Sequence, residues 1–124
     1  MNVVDSSGWL EYFADGPNAD FFAPAVEELK NLLVPSISLL EVFKRIHQQR
    51  GENEALKAAA QMRVGQVIDL DGALALNAAR ISLAPKLPLA DSVILATARA
   101  YDAVTWTQDS DFKGIEGVNY VARK

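Results

Sequence analysis

A chain of 124 residues and 13.5 kDa has room for one core of ordinary size; with half its residues apolar, 23% charged and only seven Gly and five Pro, it is neither disordered nor collagen-like. The absence of cysteine excludes disulfides, thiolate metal sites and a cysteine nucleophile, leaving oxygen ligands or the lone His47 for any cation. Twelve Lys+Arg against sixteen Asp+Glu give a net charge of -4 and a pI near 4.9, which taken whole argues against a nucleic-acid partner.

The N-terminus MNVVDSSGWLEYF has neither the basic start nor the long apolar stretch of a signal peptide. No apolar run approaches the roughly 20 residues of a membrane span, so the expected location is the cytoplasm. Residues 2–5 (NVVD) read as a buried strand that Asp5, Ser6 and Ser7 lead into a capped helix through about Ala14, broken by Gly16-Pro17. A second helix is expected over about 18–31, with Phe21, Phe22, Val26 and Leu29 on its apolar side, and Leu32-Leu33-Val34 forms a short strand. Pro35-Ser36 opens a helix of about 37–50, in which Leu39, Val42, Phe43 and Ile46 share a face and which Gly51 ends. Another helix covers about 52–63.

Gln66 to Leu70 reads as a strand, followed by a helix of about 72–83 and a loop bracketed by Pro85 and Pro88. The helix of about 89–101 is apolar nearly all round and should be central and buried. The strand AVTWT (103–107), the polar turn QDSDFKG and a last strand near 118–122 complete the chain. Short apolar strands separated by helices predict a three-layer α/β/α sandwich with a mostly parallel central sheet, formed by 1–124 as a single domain without linker or repeat.

Sites in such sheets form at the carboxyl ends of strands. Asp5 ends the first strand, Asp109 and Asp111 follow the fourth, Asp91 lies in the first turn of the most apolar helix, and Glu41 stands one turn into the helix after Pro35-Ser36. Carboxylates gathered a few Å apart repel one another unless a hard cation neutralises them. Mg²⁺ or Mn²⁺ suits an all-oxygen site, and the chemistry implied is metal-assisted phosphodiester hydrolysis. Each acid also has a plain structural role open to it. Asp5 could be a helix N-cap, Glu41 a solvated partner of Arg45 at i+4, and Asp109 and Asp111 ordinary turn residues. Asp91 is harder to explain that way, because its helix has almost no polar face.

The segments VVDSSGW, PSISLLEV (35–42), LPLADSVILATA (87–98) and WTQDSDFKGIEGV (106–118) resemble, in order and over nearly the whole chain, the acidic motifs of PIN domains. The likeness is to the VapC-type toxins of toxin–antitoxin pairs in particular. It implies an Mg²⁺- or Mn²⁺-dependent endoribonuclease, usually a homodimer, held inactive by a cognate antitoxin. Carried over by position, the catalytic and metal-binding acids are Asp5, Glu41, Asp91 and Asp109, with Asp111 as an accessory ligand and Thr107 as the hydroxyl before the last motif. Spacing leaves open which of Asp109 and Asp111 binds metal directly.

Setting those five acids aside leaves eleven Asp+Glu against twelve Lys+Arg, so the negative excess sits where a cation would. Lys44, Arg45 and Arg50, near Glu41, and Arg80, Lys86 and Arg99, flanking Asp91, can serve either as RNA-phosphate contacts or as solvated helix surface. Two other functions compete. One is a catalytically silent RNA-binding or interaction domain of the same fold. The other is a haloacid dehalogenase-like phosphatase using Asp69 and Asp71 of VIDLDG (67–72), opposed by Ala73 in place of a hydroxyl and by the short remainder of the chain. His47 reads as a surface residue. The aromatics Trp9, Tyr12, Phe13, Phe21 and Phe22 exceed what two covering helices need, which suggests an antitoxin groove or dimer face.

Overall fold

Successive side chains of a strand point to opposite faces, so runs such as Val3-Val4 and Leu32-Leu33-Val34 build a sheet that needs cover on both sides. In the computed structural model, which describes residues 1–124, the elements follow in the order β1 (Asn2–Val4), α1 (Ser6–Phe13), α2 (Ala19–Glu27), β2 (Leu32–Pro35), α3 (Ser36–Arg50), α4 (Glu52–Met62), β3 (Gln66–Ile68), α5 (Gly72–Leu83), α6 (Leu89–Ala100), β4 (Val104–Thr107) and β5 (Val118–Tyr120). Short 3₁₀ turns at Leu29–Asn31 and Ser110–Phe112 precede β2 and follow β4. The five strands lie in the order β3-β2-β1-β4-β5, and every pairing is parallel.

Alternation divides the core as expected. Val4, Leu32 and Val34 pack under Trp9, Phe22, Val26, Val42, Ile46, Ala58 and Met62 of α1 to α4. Val3, Leu33 and Ile68 face the other way, against Leu74 of α5 and Ile94 and Ala98 of α6. In α6 every residue from Ser92 to Ala98 is buried, as its all-round apolar sequence requires. The aromatic surplus is largely absorbed: Trp9 and Phe22 are fully buried, and Tyr12, Phe13 and Phe21 pack against that cluster, with Phe21 set 5.3 Å from the Trp106 ring.

The expected helix over 18–31 is shorter. It ends at Glu27, Glu28 leaves the helical region (φ -87°, ψ 74°), and the chain tightens before β2. Pro24 removes one helical hydrogen bond, and the chain must turn to bring Leu32 into register beside Asn2. Strands β3 and β5 are also shorter than their sequence runs. Each stops where its partner's ladder stops, Ile68 opposite Pro35 and Tyr120 opposite Thr107.

The docking of α1 depends on Gly8. A Cβ there would lie 2.6 Å from Phe22 Cε1 and 2.7 Å from Val4 Cγ1, so only glycine lets the first turn of α1 lie against the sheet. Gly8→Ala should cost about 1–3 kcal/mol by overpacking. The check is a lowered urea midpoint at unchanged m-value; an unchanged midpoint would contradict so tight a contact.

Candidate metal centre

The chain leaves β1 toward β2 and β3 on one side and returns to β4 and β5 on the other, so β1 and β4 are neighbours whose connections diverge. A crevice opens at the carboxyl ends of such a strand pair. Asp5 follows β1 directly, and Asp109 follows β4 by one intervening residue. Because Glu41 lies on α3, which begins directly after β2, and Asp91 in the first turn of α6, all four reach one cleft of about 450 Å³.

Asp5 is both cap and cleft residue. Its Oδ1 accepts from the Gly8 N–H at 2.8 Å and from the Ser7 hydroxyl at 2.8 Å, and its Oδ2 accepts from the Thr107 hydroxyl at 2.6 Å. A carboxylate has about four lone-pair positions, so acceptor capacity remains on Oδ2. Thr107 in turn accepts from the Asp109 N–H at 2.9 Å, so one threonine sets the spacing of the acids at the ends of β1 and β4. Asp109 caps the following 3₁₀ turn through the Asp111 N–H at 3.0 Å.

One carboxylate oxygen from each of Asp91, Asp109 and Asp111 lies within 4.8 Å of the others, near enough that small side-chain shifts would bring all three onto one cation, whose opposite ligands stand about 4.2 Å apart for Mg²⁺. Asp109 and Asp111 thus both converge on Asp91. Asp5 and Glu41 share the cleft without belonging to that group of three. Glu41 is not the solvated partner of Arg45: its Oε1 accepts from the Ser6 hydroxyl at 2.7 Å, tying α3 to α1.

The electrostatics record the crowding. Burial, opposed by bonds from Thr107, Ser7 and Gly8 and helped by the Asp109 charge, raises the Asp5 carboxyl to about 6. Burial and then the charges of Asp109, Asp5, Glu41 and Asp111 raise Asp91 to about 7. The donors are carboxylate oxygens throughout, which fits a hard divalent cation, and positive charge is what this set lacks.

Of the basic residues singled out by sequence, Arg45 and Arg50 line the cleft. Arg80 and Arg99 line a separate hollow between α5 and α6, where Arg80 donates to Asn77. The phosphatase-like pair stands elsewhere as well: Asp69 is exposed beyond the edge strand β3, and Asp71 caps α5 through the Leu74 N–H at 2.9 Å. His47 is exposed on α3, with Nε2 3.8 Å from Glu52. Gln108, Ser6 and Arg123 also line the cleft, and the buried Asn18 is bonded to Gln108; none of the four is among the acidic and basic candidates of the sequence. Of these only Ser6 carried a usable signal, as a small hydroxyl at the start of a capped helix.

The PIN domain profile matches residues 3–118. No curated protein matches the sequence. Among solved structures, the chain resembles a toxin–antitoxin complex from Klebsiella pneumoniae (TM-score 0.77, 22% identity, 96% of each chain covered). It also resembles VapC20 from Mycobacterium tuberculosis, described as a toxin that cleaves the sarcin-ricin loop (TM-score 0.77, 18% identity, 94% of this chain and 95% of that one). A third is DNA-bound VapBC from Salmonella typhimurium (TM-score 0.73, 17% identity, 98% and 97%). At these identities the structural likeness speaks for the fold, and it agrees with a profile match that runs from β1 into β5: the chain belongs to the PIN domain family.

Proposed function

We propose that residues 1–124 form one metal-dependent endoribonuclease unit, the toxin of a cytoplasmic toxin–antitoxin pair, with Asp5, Glu41, Asp91 and Asp109 as its catalytic acids. The observation that carries this is the meeting of chain-distant acids in one cleft, with Asp91 raised to about 7 by burial and the charges of Asp109, Asp5, Glu41 and Asp111, and Asp5 raised to about 6 by burial and the Asp109 charge. Family membership supports the nuclease reading, and the neighbours that are toxin–antitoxin complexes support an antitoxin as partner. A homodimer is the expected assembly. No helix is long and apolar enough to cross a membrane.

Asp91, Asp109 and Asp111 would hold the cation, with Asp5 beside them. When bound there, Mg²⁺ or Mn²⁺ would supply neutralisation of the acids' charge and Lewis-acid activation of water toward phosphorus. The chain's own part is to fix the acids: Thr107 orients Asp5 and Asp109 together, and Ser6 holds Glu41 toward them. The cleft contains no imidazole to activate a ribose 2′-hydroxyl, since His47 lies outside it. Antitoxin-free protein should therefore cut single-stranded or loop RNA with Mg²⁺ or Mn²⁺, leaving 5′-phosphate and 3′-hydroxyl ends. Mapping of cut ends checks this; 2′,3′-cyclic phosphates, or undiminished cutting in EDTA, would overturn the reading. A silent binding module of the same fold would bind RNA and leave it intact.

A further inference from the structure

The cleft carries positive as well as negative charge: Arg45, Arg50 and Arg123 line it beside the acids. The two ion pairs of the protein, His47–Glu52 and Lys57–Glu54, involve none of the three. Arginines that share a cleft with carboxylates yet pair with none keep their donors for an anion from outside.

Arg123 is the least expected of them, because it lies beyond Tyr120, the last residue of β5. A clamp holds that end of the chain in place. Asn18 occupies the N-cap position of α2 but makes no capping bond. Its side chain, 2% exposed, turns inward, and Nδ2 donates to Gln108 Oε1 at 2.9 Å and to the Ala122 carbonyl at 3.0 Å. The Val121 N–H adds a bond to the Thr107 carbonyl at 3.0 Å. The residue between Thr107 and Asp109 is thereby tied to the one before Arg123, so the strand end that carries Asp109 and the backbone that leads into Arg123 are held by one set of bonds.

We propose that Arg123, together with Arg45 and Arg50, forms a phosphate-binding rim that holds a single RNA strand across the acids, and that Asn18 and Gln108 are positioning residues that present Arg123. The proposal rests on the nuclease reading and names its strand-binding residues.

The test is equilibrium binding of a short fluorescein-labelled single-stranded RNA to the full chain over a range of salt, in an Asp5→Asn background that keeps the strand intact. Arg123→Ala should weaken binding several-fold and lower the slope of log K against log salt by about 0.7, the value of one single-strand phosphate contact. Arg123→Lys should keep most of the slope. Lys124→Ala, one residue outside the cleft, should leave it unchanged. Asn18→Ala should reproduce the Arg123→Ala loss, and the double variant should lose no more than either single one, which a general loss of stability would not produce. Gln108→Met, close in shape, replaces Asn18→Ala should that variant fail to fold.

If the unsubstituted chain cuts RNA and, in the Asp5→Asn background, Arg123→Ala matches Lys124→Ala, the rim is overturned and the nuclease reading stands. A normal slope in Asn18→Ala, or in Gln108→Met where that replaces it, overturns the positioning role. An unsubstituted chain that neither binds nor cuts RNA overturns both the rim and the nuclease reading.

Discussion

Asp5→Asn is expected to lower RNA cleavage by on the order of 10³-fold, the equivalent of about 4 kcal/mol of lost charge stabilisation in the reacting complex. The fold should survive. The amide oxygen can still accept from the Gly8 N–H and the Ser7 hydroxyl, and a carboxyl that burial holds near 6 loses little by becoming neutral. The functional loss lies on the Oδ2 side, where an amide NH₂ would meet the Thr107 hydroxyl in place of an anionic oxygen. Asp69→Asn is the control, since Asp69 is exposed beyond the edge strand and should leave cleavage within about two-fold of the parent. Cleavage kinetics of both variants, beside their unfolding curves, decide the matter. An active Asp5→Asn protein, or phosphatase activity that depends on Asp69, would contradict the site.

Asp91→Asn tests the crowding itself, because two readings of Asp91 differ in sign. As an acid in the first turn of α6 it should gain from the helix dipole, and its loss would cost a few tenths to about 1 kcal/mol. As one of several crowded carboxylates it has its folded-state value raised to about 7, above the ordinary range. The folded protein then binds more protons than the unfolded chain between roughly pH 4 and pH 7. Metal-free stability should therefore fall as pH rises through that window, with Asp5, raised to about 6, contributing to its lower part. Asp91→Asn removes the larger share. Above pH 7 in EDTA the variant should be more stable than the parent by about 1 kcal/mol, less than the full shift implies because the carboxyl is partly open to solvent. The gain should vanish toward pH 4. Excess Mn²⁺ should reverse the order, since the parent gains a ligand that a neutral amide replaces poorly. Urea unfolding with EDTA and with Mn²⁺ at several pH values reads both signs. Equal destabilisation in all conditions would make Asp91 a helix-end acid and nothing more.

What could be read from the sequence was what local chemistry determines. Asp5 before Ser-Ser, the polar QDSD turn after an apolar strand, and an acid at the head of an otherwise apolar helix each carry a signal within a few residues. The parallel order of the strands followed from their apolar, helix-separated character. Facts that depend on a distant partner were hidden. Strands β3 and β5 end where β2 and β4 stop offering a ladder, and α2 ends where Leu32 must fall beside Asn2. Spacing along the helix pairs Glu41 with Arg45 at i+4, yet the hydroxyl that holds it is Ser6 of another helix, 35 residues away. Asn18 and Gln108 are 90 residues apart, and an asparagine after Gly-Pro reads as an ordinary helix start.

On the proposed function, Asp91, Asp109 and Asp111 hold a divalent cation beside Asp5 for phosphodiester hydrolysis. Anomalous scattering from crystals grown with Mn²⁺ addresses it most directly. A peak is expected in the cleft, at the carboxylate oxygens of Asp91, Asp109 and Asp111 and beside Asp5, that is lost in Asp91→Asn. A protein that cuts RNA while its cleft stays free of Mn²⁺ at saturating concentration, or a peak at Asp69 and Asp71 instead, would contradict it.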